Sequence, residues 1–171
     1  MGAGVTAANA PDGTDEEPVN LTYMAHAIHA ADEREGVGPV YYGFAIPPAL
    51  PPAIDFSHVV FPGKITNCES CHLEDTYYEA DADALATTID TGADLSTAYD
   101  DINITPTSAA CAACHDTSLA QLHMEQNGGA WDVVQDASGA LTSMSRGVVA
   151  ESCAVCHGPG RIADVKTMHG F

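Results

Sequence analysis

The sequence predicts a mostly irregular chain with short α-helices and little β structure, folded around bound groups. Three observations support this. The pattern Cys-x-x-Cys-His occurs three times and uses all six cysteines, 15 Gly and 10 Pro interrupt the chain, and only 6% of the residues are aromatic. A chain of 171 residues ordinarily buries a core of its own. The scarcity of large side chains therefore indicates that something other than protein fills part of the interior.

Helical periodicity is short wherever it occurs. Residues 21–33 predict a helix, because apolar side chains recur there at helical spacing. A second helix is predicted from Ser118, a suitable N-cap, to the stop at Gly128 and Gly129. Residues 160–170 predict one last short helix.

Strand signals are weaker than the helix signals. Residues 34–64 hold six prolines, which favours a loop with short strands near Val40–Phe44 and His58–Phe61. Residues 131–144 predict a turn between two short segments. We expect residues 21–171 to form a single domain, with residues 1–20 as an acidic, disordered lead-in or linker.

The charge balance excludes one class of partner. Asp and Glu number 24 against 5 Lys and Arg, which gives a formal charge of −19. Nucleic-acid binding is excluded, because each phosphate contact needs a cation. Three explanations of the acidity are open: a solvated surface, a cationic or metallic partner, and adaptation to high salt. No apolar run is long enough to predict a transmembrane segment.

The three pentapeptides carry the most specific signal. They begin at Cys68, Cys111 and Cys153, and they read CESCH, CAACH and CAVCH. Two cysteines at this spacing reach both vinyl groups of a haem from one turn, and the following histidine binds the iron. We therefore predict three covalent haems c. Their attachment residues are Cys68, Cys71, Cys111, Cys114, Cys153 and Cys156, and their proximal iron ligands are His72, His115 and His157.

Three alternatives compete with haem attachment. Zinc knuckles need cysteine pairs matched two by two, and three pairs cannot all be matched in that way. Disulfides and thioredoxin-like redox pairs are the other two alternatives. Neither of these explains a histidine at the same position in every motif.

Five further histidines are available as distal iron ligands. His26 and His29 share one face of the first predicted helix, with Cβ atoms about 5–6 Å apart, which suits ligation of two neighbouring haems. His123 precedes the two glycines, and His169 lies on the last predicted helix. We treat His26, His29, His123 and His169 as the distal candidates and expect little from His58. Met24, Met124, Met144 and Met168 are alternative ligands that more often fill gaps in a core.

Several stretches resemble one protein family. They are "MAHAIHAAD", "DFSHVVFPGKITNCESCH", "CAACHDTSLAQLHMEQNGG" and "ESCAVCHGPGRIADVKTMHG". Over residues 21–171 the chain resembles the outer-membrane multihaem c-type cytochromes of metal-respiring bacteria, the OmcA/MtrC decahaem family. The resemblance implies distal ligation by His26, His29 and His123. Members carry about ten haems in several domains, so a chain with three resembles one module.

These observations predict an electron carrier rather than an enzyme. The alternatives are a small multihaem reductase with one open haem face and a subunit that stacks so that its haem row continues into a neighbour. We expect an exported protein, periplasmic, cell-surface or extracellular, because haem attachment of this kind needs export. Its expected partners are redox or haem proteins and cationic, mineral or metal acceptors, with self-association as a further alternative.

Overall fold

The computed structural model describes residues 17–35, 40–42, 53–81, 84, 87–89, 101–148 and 150–171. Five short α-helices occur in this part of the chain: α1 (Leu21–His29), α2 (Pro106–Ala112), α3 (Ser118–Gln126), α4 (Ala154–His157) and α5 (Val165–His169). A single 3-10 turn covers Cys68–Ser70. All six cysteines and all eight histidines lie within the described residues.

Seven short strands form two antiparallel sheets in the described part of the chain. The first sheet pairs β1 (Val40–Tyr42) with β2 (Ala53–Asp55). The second has the order β3 (Thr87–Ile89), β4 (Ile102–Ile104), β5 (Val133–Gln135), β6 (Leu141–Ser143) and β7 (Gly147–Val148). Its register pairs Thr87 with Ile104, Asn103 with Val133, Val133 with Ser143, and Thr142 with Val148.

The core of the described residues is built from small side chains. Tyr23 and Ala27 of α1 pack with Ala112, Ala113 and Met124, and Trp131 lies against this cluster. Elsewhere the largest side chains buried below 2% exposure are Val133, Thr105, Ser108 and Ser143. Burial of such side chains removes little apolar surface from water, so the protein part of the core contributes little stability.

A carboxylate from a distant segment caps helix α2. Glu151 accepts hydrogen bonds from the backbone N–H groups of Thr107 (2.9 Å) and Ser108 (2.7 Å), and from the Ser108 hydroxyl (2.6 Å). The N-cap residue Thr105 makes no such side-chain bond. A negative charge at a helix N-terminus is stabilising, because it meets unpaired N–H groups and the positive end of the helix dipole.

The structure confirms the predicted short helices and the predicted turn in residues 131–144. The first helix ends at His29, four residues earlier than predicted, and the N-cap of α3 is Thr117, whose side chain accepts from the Ala120 N–H. The predicted strand at His58–Phe61 is wrong, because these residues form a turn and irregular chain. The prediction of little β structure missed the five-stranded sheet, so the fold is mixed. The predicted lead-in lies mostly outside the described residues.

Candidate functional site

The three Cys-x-x-Cys-His motifs adopt the same local structure. In each motif the carbonyl of the first cysteine accepts from the N–H of the second cysteine (3.2 Å in all three) and from the N–H of the histidine (2.9, 2.8 and 2.9 Å). This pattern is one helical turn. It places the two thiols of a motif on one side of the chain, with the histidine one residue further on.

The thiols are all free, and most lie in crowded surroundings. Cys111 and Cys114 keep exposed surface. Desolvation nevertheless raises the pKa of Cys111 to about 12 and the pKa of Cys114 and Cys153 to about 11. These thiols are protonated at neutral pH, whereas a reactive redox pair has a lowered thiol pKa.

The thiols of the second motif are within electrostatic reach of a cysteine of each other motif. The thiols of Cys153 and Cys68, together with Glu151, add to the raised pKa of Cys111, and Cys68 also raises the pKa of Cys114. Cys111 is therefore close to both neighbouring motifs.

Each motif histidine faces one further histidine. The ring centres of His26 and His72 are 5.9 Å apart, those of His115 and His169 are 5.9 Å apart, and those of His123 and His157 are 6.0 Å apart. The angles between the ring planes are 13°, 60° and 84° in the same order. Three helices supply the second rings, namely α1, α5 and α3. The described residues contain pairs of this kind and no group of three or more His, Cys, Asp or Glu side chains arranged to hold a metal ion.

The pair distance matches two imidazoles that share one iron. Two such rings have centres about 6 Å apart, because each metal–nitrogen bond is about 2 Å long and each ring adds about 1 Å. Each ring can turn about its own metal–nitrogen bond, so the angle between the planes is not fixed by ligation. The residues present therefore fit a haem iron between the rings of each pair.

Backbone carbonyls orient several of these rings. The Nδ1 atom of His26 donates to the Thr22 carbonyl (2.7 Å), that of His169 to the Val165 carbonyl (2.8 Å), and that of His157 to the Ala163 carbonyl (3.0 Å). A carbonyl only accepts, so the hydrogen sits on Nδ1 and the lone pair is on Nε2. This is the tautomer that a metal-binding histidine needs.

Desolvation favours the neutral imidazole at two of the paired positions. It lowers the pKa of His26, and the neighbouring rings of His72 and His29 lower it further. Desolvation likewise lowers the pKa of His115, with added contributions from His169 and His157. Only the neutral ring has a lone pair for a metal ion. Both groups are therefore ready to bind iron at neutral pH.

Large apolar side chains are exposed beside the paired histidines. Leu73 (80% exposed) follows His72, and Leu119 (77%) and Leu122 (49%) precede His123 on α3. Val155 (69%) lies inside the third motif, and Met168 (68%) precedes His169. Exposed apolar side chains near a binding site are surface that an apolar ligand can cover. These side chains are therefore available for contact with a porphyrin at a histidine pair.

The first motif and the terminal helix α5 hold each other in place. Lys166 pairs with Glu69 (2.7 Å), and the Tyr78 hydroxyl donates to Asp164 (3.2 Å). The rings of Tyr77 and Phe171 have centres 5.4 Å apart. Since Tyr77 also lies 6.5 Å from His72, these contacts fix the first motif against the helix that carries His169.

A buried cation joins the second motif to the start of the described chain. Arg34, whose side chain is 3% exposed, pairs with Glu17 (2.7 Å) and with Asp116 (3.3 Å), the residue after His115. Removal of either carboxylate would leave Arg34, whose side chain is buried, with one charged partner in place of two, which is destabilising. The pair therefore ties the second motif to the segment that leads into α1.

The remaining candidates are not placed opposite a motif histidine. The ring in contact with His29 is that of Phe61, at 6.0 Å between centres. His58 is exposed in a turn. Met124 is buried in the core cluster, and Met144 and Met168 are exposed. Three of the four distal candidates, His26, His123 and His169, are therefore paired, and His29 is not.

A protein-family comparison places the chain in a known group. The family model described as outer membrane cytochrome MtrC/MtrF-like, domains II/IV, matches residues 4–170. The chain belongs to this family. The MtrC/MtrF-like proteins are multihaem c-type cytochromes of extracellular electron transfer, which confirms the resemblance noted from the motifs. Searches of curated proteins and of solved structures gave no match. In the described part of the chain, no helix has the length and apolar character needed to cross a membrane.

Sequence reasoning missed several residues that position the site. Glu151 caps a helix that starts 45 positions earlier, and Tyr77 contacts a ring at the far end of the chain. Neither contact is indicated by the pattern of neighbouring residues in the sequence. A carboxylate two residues before the third motif was visible in the sequence, but its partner was not.

Proposed function

We propose that the chain is a triheme c-type cytochrome domain that transfers electrons. Each haem is attached by the two cysteines of one motif and bound by two histidines. The pairs are His72 with His26, His115 with His169, and His157 with His123. The observation that carries the proposal is the repeated separation of 5.9–6.0 Å between a motif histidine and a second histidine.

Haem with two imidazole ligands supplies a one-electron iron couple of lower potential than haem with histidine and methionine. The protein orients several of the histidine rings and keeps two of them uncharged. Backbone carbonyls hold the rings of His26, His157 and His169, and desolvation keeps His26 and His115 unprotonated. The exposed leucines beside His72 and His123 would supply apolar contacts to the bound group.

The proposed pairing favours a carrier over a reductase. A reductase of this type needs one iron with an open face, and the pairing fills both axial positions of all three irons. We propose that residues 21–171 form the haem-bearing domain of an exported protein, with residues 1–20 as its lead-in. Redox proteins and cationic, mineral or metal acceptors fit its negative charge.

The test combines intact mass with optical and electron paramagnetic resonance spectra of the purified holoprotein. We expect three covalent haems, all low-spin. His26→Ala, His123→Ala and His169→Ala should each convert one haem to high-spin, while the matched control His58→Ala leaves the spectrum unchanged. Cys71→Ala should lower haem occupancy at the first motif. A native high-spin haem that binds cyanide rapidly and turns over a substrate would replace the carrier with the reductase.

A further inference from the structure

The ring of His29 makes the same hydrogen bond to a backbone carbonyl as the rings of two paired histidines, His26 and His169. Its Nδ1 donates to the Ala25 carbonyl at 2.6 Å, as His26 and His169 donate to carbonyls four residues earlier on their helices. The hydrogen is therefore on Nδ1, and Nε2 keeps its lone pair. The ring is at the surface, since His29 is an exposed residue.

No iron of this chain is left for His29. The three motifs provide three proximal histidines, and each already faces His26, His123 or His169. All eight histidines belong to the described residues, so no further motif histidine exists in the chain. His29 therefore keeps a lone pair for a metal ion, and no motif histidine of this chain faces it.

The surface around His29 suits the flat apolar face of a porphyrin. Phe61 stands edge-on to the His29 ring, with planes 83° apart, and neighbouring Val60 is 67% exposed. Leu21 is 74% exposed and lies on the α1 face shared with Ala25 and His29, since these residues are spaced four apart. Exposed apolar side chains near a group that can bind a metal ion are typical of a binding surface.

His58 lacks these properties. It is exposed in a turn and lies within electrostatic reach of Asp55, and no backbone carbonyl accepts from its ring in the described structure. Exposure alone therefore does not distinguish His29. The fixed tautomer and the contact with the Phe61 ring do.

We propose that His29, with Phe61, Val60 and Leu21, is a docking surface for a second haem protein, in which His29 binds an iron that has one open axial position. The inference rests on the proposed function, because a relay with three filled irons gains an external contact point through His29. His26 and His29 are neighbours on one face of α1, about 5–6 Å apart at Cβ. The docked haem would therefore lie beside the haem of the first motif.

The test uses a haem c peptide that carries one axial histidine and an open opposite position. Titration into the holoprotein should convert the added haem from high-spin to low-spin, with saturation at one peptide per chain. His29→Ala should abolish this conversion, and Phe61→Ala should weaken it. His58→Ala should bind as the unsubstituted protein does.

The protein's own three haems provide the separate readout. If they are low-spin in every variant and the peptide still binds to His29→Ala, or fails to bind the unsubstituted protein, the docking proposal is wrong and the proposed function stands. If His29→Ala makes one of the protein's own haems high-spin, His29 is an internal ligand, which also overturns the proposal. If the protein carries no low-spin haem at all, the proposed function itself fails.

Discussion

At the scale of single residues, two adjacent glycines set the position of His123. Gly128 has φ of +94°, and a Cβ at this position would collide with the carbonyl of Ala150. A Cβ at Gly129 would meet the Ser108 hydroxyl. The end of α3 therefore approaches both α2 and the segment before the third motif, which brings His123 to His157.

The first prediction concerns Gly128. Gly128→Ala should destabilise the holoprotein by about 3 kcal/mol, because the left-handed backbone costs about 1–2 kcal/mol and the clash adds about 1–3 kcal/mol. Gly147→Ala is the matched control, since Gly147 has φ of +82° with nothing within 4 Å of its added Cβ. Thermal unfolding should separate the two variants. Equal losses would show that the close approach to Ala150 does not constrain the chain.

At the scale of elements, the helix that leads into the second motif depends on a carboxylate outside it. Glu151 accepts three hydrogen bonds at the start of α2. The third motif begins two residues after Glu151. Glu151 therefore links the helix that carries the start of the second motif to the segment that leads into the third motif.

The second prediction is that Glu151→Ala destabilises the protein by about 2 kcal/mol, because three donors lose their acceptor. Glu125→Ala removes a carboxylate from the partly exposed pair with Arg146 and should cost less than about 1 kcal/mol. Denaturant unfolding of the two variants gives the comparison. In the Glu151→Ala variant we also expect broader optical bands from the haem at the second motif. If Glu151→Ala has the spectrum of the unsubstituted protein and the stability of Glu125→Ala, Glu151 does not stabilise helix α2.

The helices and strands show which parts of the fold can be predicted from the sequence. Helices α1, α3 and α5 were predicted, because apolar spacing and capping residues are local signals. The five-stranded sheet was not predicted, since its strands have two or three residues each, too few for an alternating pattern. The motifs and the candidate histidines were visible in the sequence. Which histidine faces which was not, because His115 meets a helix that begins 50 positions later.

At the scale of the whole molecule, the core of the described residues contains few large side chains. Its cluster contains three alanines among five buried residues, while several leucines beside the paired histidines are exposed. Folding has to offset about 1–2 kcal/mol of backbone entropy per residue. Burial of small side chains does not supply that amount.

The third prediction follows from this core. The chain produced without haem attachment should be largely disordered, because binding of the cofactor would supply the missing burial, as metal binding does in small metal-dependent domains. Circular dichroism should show little helix and no cooperative melting transition. The holoprotein is the control. A sharp melt of the haem-free chain would refute a cofactor-built core.

Four of the five cationic side chains, all of which lie in the described residues, are engaged within the molecule: Arg34 with Glu17 and Asp116, Lys64 with the Gly170 carbonyl, Arg146 with Glu125, and Lys166 with Glu69. The formal charge of −19 is therefore balanced mainly by ions from solution. Each electron gained by the proposed relay makes this charge more negative, so reduction draws a cation into the ionic atmosphere. Salt screens the accumulated charge, and the midpoint potentials of such a molecule should rise with ionic strength.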